Sequence, residues 1–290
     1  MSMYDVSGAC DMHVHCEPDL TGFVGDDMEV AQACVNAGYK AFLIKAHHES
    51  TASRAYHVRK RFPEMKTYGS IVLNTPVGGI NPSAVEIALQ LGIKEIFMPS
   101  TYARAHTAIH GKPGAFGYRT STLKVDADTV YILNENGGLK PEVLTVLELA
   151  RDYNVPIGTC HLSEEEIFQL AQKGKELRAK ILITHPHFHP PKLSDDALRA
   201  LIELGAKIEL CAATVCPFPG YGKLDQVVET IRAVGYHNFF ITSDAGTPTK
   251  PMPPETLSCY LSMLLVKGVE KQKLDYMCKE HPIQIFSIED

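Results

Sequence analysis

The sequence predicts an α/β chain closed into one (β/α)8 TIM barrel, and three observations carry that prediction. Short apolar runs alternate with amphipathic stretches along the chain, which is the pattern of βα units around a parallel sheet. Eight such runs recur at spacings of about 25–32 residues, apart from one long fourth connection, and 290 residues suffice for the eight units of a closed barrel. The first run also lacks the Gly-rich turn of an open, doubly wound nucleotide-binding sheet.

Taken in order, strand 1 is expected over 9–15, followed by a helix over 27–37 that opens on acidic residues and closes at Gly38. Strand 2 covers 41–46 and runs into His47 and His48; the helix after it, over 50–61, stops before Pro63. Strand 3 covers 68–73. Asn81 has the character of an N-cap, with Pro82 at the first helical position and Gly92 closing a helix over 83–91. Strand 4 covers 95–99 and leads into a connection of about 100–140, long enough to be a functional loop or a small excursion. A helix over 142–153 precedes strand 5 at 155–160. Ser163 and Glu166 have capping-box spacing at the start of the next helix. Strand 6 covers 180–184, Ser194 opens another helix closed by Gly205, and strand 7 covers 206–210. A helix over 224–234, strand 8 at 239–243 and helical material over about 255–279 complete a single domain spanning 1–290.

Composition narrows the class of partner. Hydrophobic residues make up 45% and charged residues 21%, so a large core is expected rather than disorder. The net charge of −6 and the absence of a dense Lys/Arg run argue against nucleic acid or an anionic membrane surface, leaving a small molecule as the expected partner and a homo-oligomer open. No run reaches membrane-spanning length, and Met1–Val6 lacks a basic region followed by an apolar stretch. The eight scattered cysteines contain no Cys-x-x-Cys pair and read as reduced thiols, so a cytoplasmic location is expected.

The 13 histidines are the compositional oddity. Side chains alternate along a strand, so His13 and His15 project from one face at the end of strand 1 and suit neighbouring positions around a cation. Catalytic groups of such barrels collect at the C-terminal strand ends. There the sequence places His161 after strand 5, His185 after strand 6 and Asp244 after strand 8, with Lys45, His47 and His48 after strand 2. Imidazoles with a carboxylate suit Zn²⁺ and also Mn²⁺, Fe²⁺ or Ni²⁺. At most one of the adjacent His47 and His48 is expected to face inward; His48 is taken as the candidate. Lys45 reads as a substrate-facing cation or a barrel-interior amine paired with a carboxylate. In the fourth loop Arg104, His106, Lys112 and Arg119 are placed to favour a carboxylate- or phosphate-bearing substrate. His187 and His189 read as rim residues, and Cys160, Cys211 and Cys216 as small apolar packing.

His13-x-His15, His161, His185 and Asp244, in this order and strand placement, resemble the metal-site pattern of the amidohydrolase superfamily. Thr159-Cys160-His161-Leu162-Ser163 and Ile183-Thr184-His185-Pro186 are similar to the strand 5 and strand 6 motifs of its phosphotriesterase-like members, and His281-Pro282-Ile283-Gln284-Ile285-Phe286 to the Asn-Pro-x-x-Leu-Leu type of ending found there. The resemblance implies a metal-dependent hydrolase of an amide, ester, lactone or phosphoester. His13, His15 and Asp244 would hold one divalent metal, most readily zinc, and His161 and His185 a second metal or the substrate. Asp244 would serve as general base toward metal-activated hydroxide. The sequence departs from the pattern at strand 4, which runs into Pro99-Ser100-Thr101 without the Lys or Glu that usually bridges two metals; this favours one metal and leaves Lys45 as an unusual bridging candidate. A non-oxidative decarboxylase on the same residue set and a barrel that binds without turnover are the competing expectations. A third is the polymerase-and-histidinol-phosphatase type of phosphoesterase, which also begins Asp-x-His-x-His.

Overall fold

A computed structural model describes residues 3–20, 22–115, 127–215 and 223–289. Its strands all pair in parallel and follow one another around a ring. They are β1 (Cys10–Val14), β2 (Ala41–Ile44), β3 in two pieces (Lys66–Tyr68 and Ser70–Val72), β4 (Glu95–Phe97), β5 (Ile157–Gly158), β6 (Ile181–Ile183), β7 (Lys207–Cys211) and β8 (Phe239–Thr242). The two pieces of β3 flank Gly69, the first pairing with β2 and the second with β4. The ring closes between β8 and β1: Asp244 N donates to His13 O at 2.9 Å and His15 N to Ala245 O at 2.8 Å. The eight-stave barrel expected from the apolar runs is the observed fold, with strands shorter than predicted because the ladder ends where each chain turns into its loop.

The helices α1 (Asp27–Asn36), α2 (Ala52–Arg61), α3 (Pro82–Gln90), α4 (Arg104–His110), α5 (Pro141–Asp152), α6 (Glu164–Leu177), α7 (Asp195–Glu203), α8 (Leu224–Val234) and α9 (Pro253–Val266) follow the strands. Side-chain caps set several of their starts. Asp26 caps α1 in a capping box with Glu29, Asn81 accepts from Ala84 N at α3, Ser163 forms the capping box with Glu166, and Ser194 accepts from Ala197 N at α7. Each such cap satisfies an otherwise unpaired helix amide, worth about 1 kcal/mol. The fourth connection contains α4, which the sequence reading passed over because its start at Ala103 carries no side-chain cap. The predicted single C-terminal stretch is several pieces. Chain reversal at Gly268 separates α9 from α10 (Lys271–Asp275), a π-turn over Tyr276–Glu280 and α11 (His281–Phe286).

Strand alternation sorts the core into two layers. Phe42, Ile44, Ile71, Ile96, Ile157, Ile181, Ile183, Ile208, Leu210 and Ile241 face outward and join the helices in one continuous cluster. Cys10, Met12, Leu43, Val72, Phe97, Leu182 and Phe240 fill the interior, where Ile285 and Phe286 of α11 join them. His281 of α11 donates from Nδ1 to Phe239 O at the start of β8, 2.7 Å away. The ending that resembled a family motif therefore stoppers the barrel at the end remote from the strand C-termini.

Candidate metal centre

At the open end the pairing of β1 with β2 slips between Asp11 and Val14. Such irregularities re-aim side chains beside functional sites. Here Met12 lies in the interior cluster, Val14 packs outward, and His13 and His15 both reach the barrel mouth. Asp11 ties this segment to β8 by accepting from Ser243 N at 2.8 Å; burial lifts its pKa to about 7. Just beyond, Gly246 passes so close to His15 that a Cβ there would stand 2.3 Å from His15 O. The residues after β5, β6 and β8 that present the site, Cys160, His185 and Asp244, all have positive φ. Non-glycine residues adopt that conformation at a cost of about 1–3 kcal/mol, and it turns the chain sharply at the mouth.

One oxygen gathers the first contacts. Asp244 Oδ1 lies 3.1 Å from His13 Nε2 and 3.3 Å from His15 Nε2. The other nitrogen of His13, Nδ1, donates to Glu209 Oε1 at 2.9 Å, and that oxygen also accepts from Thr242 Oγ1 at 2.8 Å. His185 approaches His13 with ring centroids 6.1 Å apart, and His161 approaches His185 at 5.1 Å. His13, Cys211 and Asp244 also offer ligand atoms all within 4.8 Å of one another. All four of these imidazoles are buried, and the Asp244 side chain keeps 21% of its surface accessible.

The charges follow from burial and from these contacts. Burial opposes charge on His13, but Asp244 and Glu209 outweigh it and hold its pKa up to about 9. Burial likewise opposes ionisation of Asp244, yet His13 and His15 keep its carboxyl well below the usual range. His15 and His161 are pushed down by burial, and His185 to about 4, so these rings stay neutral with a lone pair to offer.

Lys45 is fully buried. Its Nζ lies 2.9 Å from His13 Nε2, donates to Cys160 Sγ at 3.4 Å, and sits 4.2 Å from the centre of the Phe97 ring. Burial works against its charge, but Cys160, Asp244, Glu209 and Glu95 raise its pKa above the ordinary lysine value. Lys45 thus lies in the barrel interior beside His13 and Cys160.

Other expectations change. His47, rather than His48, stacks on His15 at 4.8 Å, and its Nδ1 lies 3.0 Å from Ser100 Oγ; His48 turns toward Asp19, 3.6 Å away. Arg104 is exposed with its guanidinium over Tyr131, which already satisfies its apolar face. His106 is buried and bonded to His161 and to Ala115 O, so its ring is committed within the protein. His187 is buried and bonded to Thr230. Arg119 and Cys216 lie outside the described residues. Cys160 and Cys211, taken as plain packing, face Lys45 and His13. Glu209 was missed altogether, although an acid within the apolar run Ile208-Glu209-Leu210 is a readable signal: a charge on a buried strand needs a partner.

The donor set suits a divalent ion. Neutral imidazoles, a carboxylate and a thiol are ligands of zinc-type metals. Among the described residues the buried His15 Nδ1 and His185 Nδ1 have no hydrogen-bond partner, so one nitrogen of each ring is not committed to a protein contact.

A family model described as "Family of unknown function (DUF6282)" matches residues 8–209, which take in His13, His15, His161, His185 and Glu209. The chain belongs to this family. No curated protein matches it. Among solved structures it is similar to a protein from the molecular engineering of organophosphate hydrolysis activity on a weak promiscuous lactonase template, with 13% identity, TM-score 0.63, and 99% of this chain and 98% of the other covered. It is also similar to an amidohydrolase from Pseudomonas aeruginosa (14% identity, TM-score 0.59, 97% and 95% covered) and an organophosphorus hydrolase from Deinococcus radiodurans (13%, 0.60, 97% and 93%). The DUF6282 chain thus shares the barrel of amidohydrolase and phosphotriesterase-like proteins. No helix among its described residues is long and apolar enough to cross a membrane.

Proposed function

We propose that this DUF6282 protein is a metal-dependent hydrolase, the whole chain acting as one barrel domain on a small polar molecule with an amide, ester, lactone or phosphoester bond. The observation that carries the reading is the meeting of His13 Nε2 and His15 Nε2 on one oxygen of Asp244 at the barrel mouth, with His185 and His161 alongside. The hydrolase names of structural neighbours with the same barrel add support.

His13, His15 and Asp244 would hold the metal, with Cys211, His185 and His161 in reach of the same mouth, and a nitrogen-rich set of this kind favours zinc. When bound, a divalent metal acidifies water from a pKa of about 15.7 toward about 7 and polarises a carbonyl or phosphoryl oxygen. The chain's own residues supply the rest. Asp244 is held ionised by His13 and His15, so its carboxylate is the group able to accept the proton of the attacking water and return it to the leaving group. Glu209 and Thr242 fix the tautomer and angle of His13. The apolar floor at Phe97 and Met12 keeps bulk water from beneath the site, which strengthens each of these interactions.

Metal analysis of the purified protein together with Asp244→Asn kinetics on ester, lactone, amide and phosphoester panels tests the reading. Bound divalent metal, turnover in the parent and its loss in Asp244→Asn with the metal retained are expected. Absence of divalent metal after zinc loading, or turnover unaffected by Asp244→Asn, would overturn it.

A further inference from the structure

The sequence reads Cys211 as small apolar packing, yet the structure turns it toward the ligand cluster. Along β7 the outward side chains are Ile208 and Leu210, so alternation aims Glu209 and Cys211 into the barrel. Glu209 meets His13. Cys211, one inward position nearer the mouth, pairs in register with Thr242, two residues before Asp244. Its Sγ lies 3.9 Å from His13 Nδ1 and 3.2 Å from Thr242 Oγ1. One ligand atom each from His13, Cys211 and Asp244 lies within 4.8 Å of the other two. Cys211 also shares a cavity of about 160 Å³ with His185, whose buried Nδ1 has no hydrogen-bond partner among the described residues.

These separations fit coordination. Zn–S bonds of about 2.3 Å and Zn–N bonds of about 2.0–2.1 Å at a tetrahedral ion place neighbouring donors about 3.5 Å apart, so shifts of about 1 Å bring the three donors to that spacing. Charge points the same way. Asp244 supplies one negative charge against a divalent ion, and β4 runs into Pro99-Ser100-Thr101 with no acid to supply another. Uncompensated charge is costly in a buried site. A coordinating thiol gives up its proton, so Cys211 would supply the second negative charge.

We infer that Cys211 is a thiolate ligand of the centre and makes it selective for zinc-type ions over manganese. The inference rests on the proposed metal centre and deepens it. Imidazole and carboxylate by themselves leave zinc, manganese, iron and nickel open, whereas a thiolate favours the softer ion. Cys160, the other thiol facing the cluster, lies in the interior layer and accepts from Lys45 at 3.4 Å, which makes it the control.

The test is cobalt(II) titration of metal-stripped protein followed by absorption spectroscopy, with zinc X-ray absorption and zinc and manganese affinities measured in parallel. Cobalt held by a thiolate shows a near-ultraviolet charge-transfer band beside its visible ligand-field bands. That band is expected in the parent and in Cys160→Ser and should vanish in Cys211→Ser. Zinc should bind Cys211→Ser at least about tenfold more weakly, the lower end of what even an outer-shell loss costs, with a smaller change for manganese. Zinc X-ray absorption of the parent should show one sulfur at about 2.3 Å. Bound cobalt and zinc without a sulfur neighbour, or a charge-transfer band that survives Cys211→Ser, would overturn the inference and leave the metal centre standing. A parent that takes up neither ion would refute the centre and the inference with it. If Cys211→Ser fails to fold, a zinc–sulfur distance that persists in Cys160→Ser upholds the inference, and its loss there overturns it.

Discussion

Lys45→Met gives the sharpest prediction about the centre. The Lys45 ammonium stands 2.9 Å from His13 Nε2, and Asp244 Oδ1 stands 3.1 Å from the same nitrogen. Lysine and carboxylate are therefore no more than about 6 Å apart, and at an effective dielectric constant of about 20 their attraction is about 3 kcal/mol or more. Glu209 lies on the other side of the same imidazole. Removing the lysine leaves buried carboxylates uncompensated, a change that typically destabilises by about 3–5 kcal/mol, or roughly 5–8 °C of melting temperature in a chain of this size. Yet Lys45 also stands beside His13 and Asp244, the groups that would hold a metal, and a second cation there would compete with it for them. The variant is thus expected to be less stable than the parent in chelator, but to bind zinc at least tenfold more tightly, about 1.4 kcal/mol. Differential scanning calorimetry with and without zinc, plus competition against a chromogenic chelator, reads both effects. The zinc-induced rise in melting temperature should be larger in Lys45→Met than in the parent. Equal stability in chelator, or weaker zinc binding by the variant, would refute the reasoning; the second result would make Lys45 a contributor to the centre rather than its competitor.

Glu209→Gln removes the charge that orients His13 and should weaken zinc binding by about tenfold or more, measured by isothermal titration. Gly158→Ala would set a Cβ 2.5 Å from Glu95 Oε1 and 2.8 Å from Phe97 Cδ1; a loss of about 1–3 kcal/mol in urea unfolding is expected, because neither neighbour has room to move in the barrel interior. Chelated protein should lose stability on acidification. His106 and His185 are pushed down by burial to about 4, below the unfolded value of about 6.5. Between those limits the unfolded chain binds more protons at both sites, so stability falls as pH drops from about 6.5 to about 4. Asp11, lifted to about 7, and His13, lifted to about 9, act in the opposite sense, losing their contribution as pH rises through those values. A stability maximum near neutrality is expected in denaturant titrations across pH, and a profile that stays flat from pH 7 to 4.5 would contradict it.

Much of the barrel was legible because its strands are buried on both faces and read as apolar runs, while Asn81, Ser163 and Ser194 mark helix starts by local chemistry alone. Strand-end histidines were visible for the same reason: each interrupts an apolar run just where the chain must turn. Glu209 was overlooked because its partner, His13, is 196 residues away. His47 and His48 are neighbours on the chain, and only the path of the loop after β2 decides that the first stacks on His15.

From the sequence alone followed the number and order of the strands, the end of the barrel that carries His13, His15, His161, His185 and Asp244, and the missing acid or lysine after β4. These depend on periodicity and local turn chemistry, which a single chain displays directly. Tertiary structure alone decided that Lys45 enters the barrel beside His13, that Glu209 holds that histidine, and that His106 turns from the substrate side to His161. Each of these rests on hydrogen bonds between groups far apart in the chain, whose partners are chosen by barrel closure and burial rather than by any local preference.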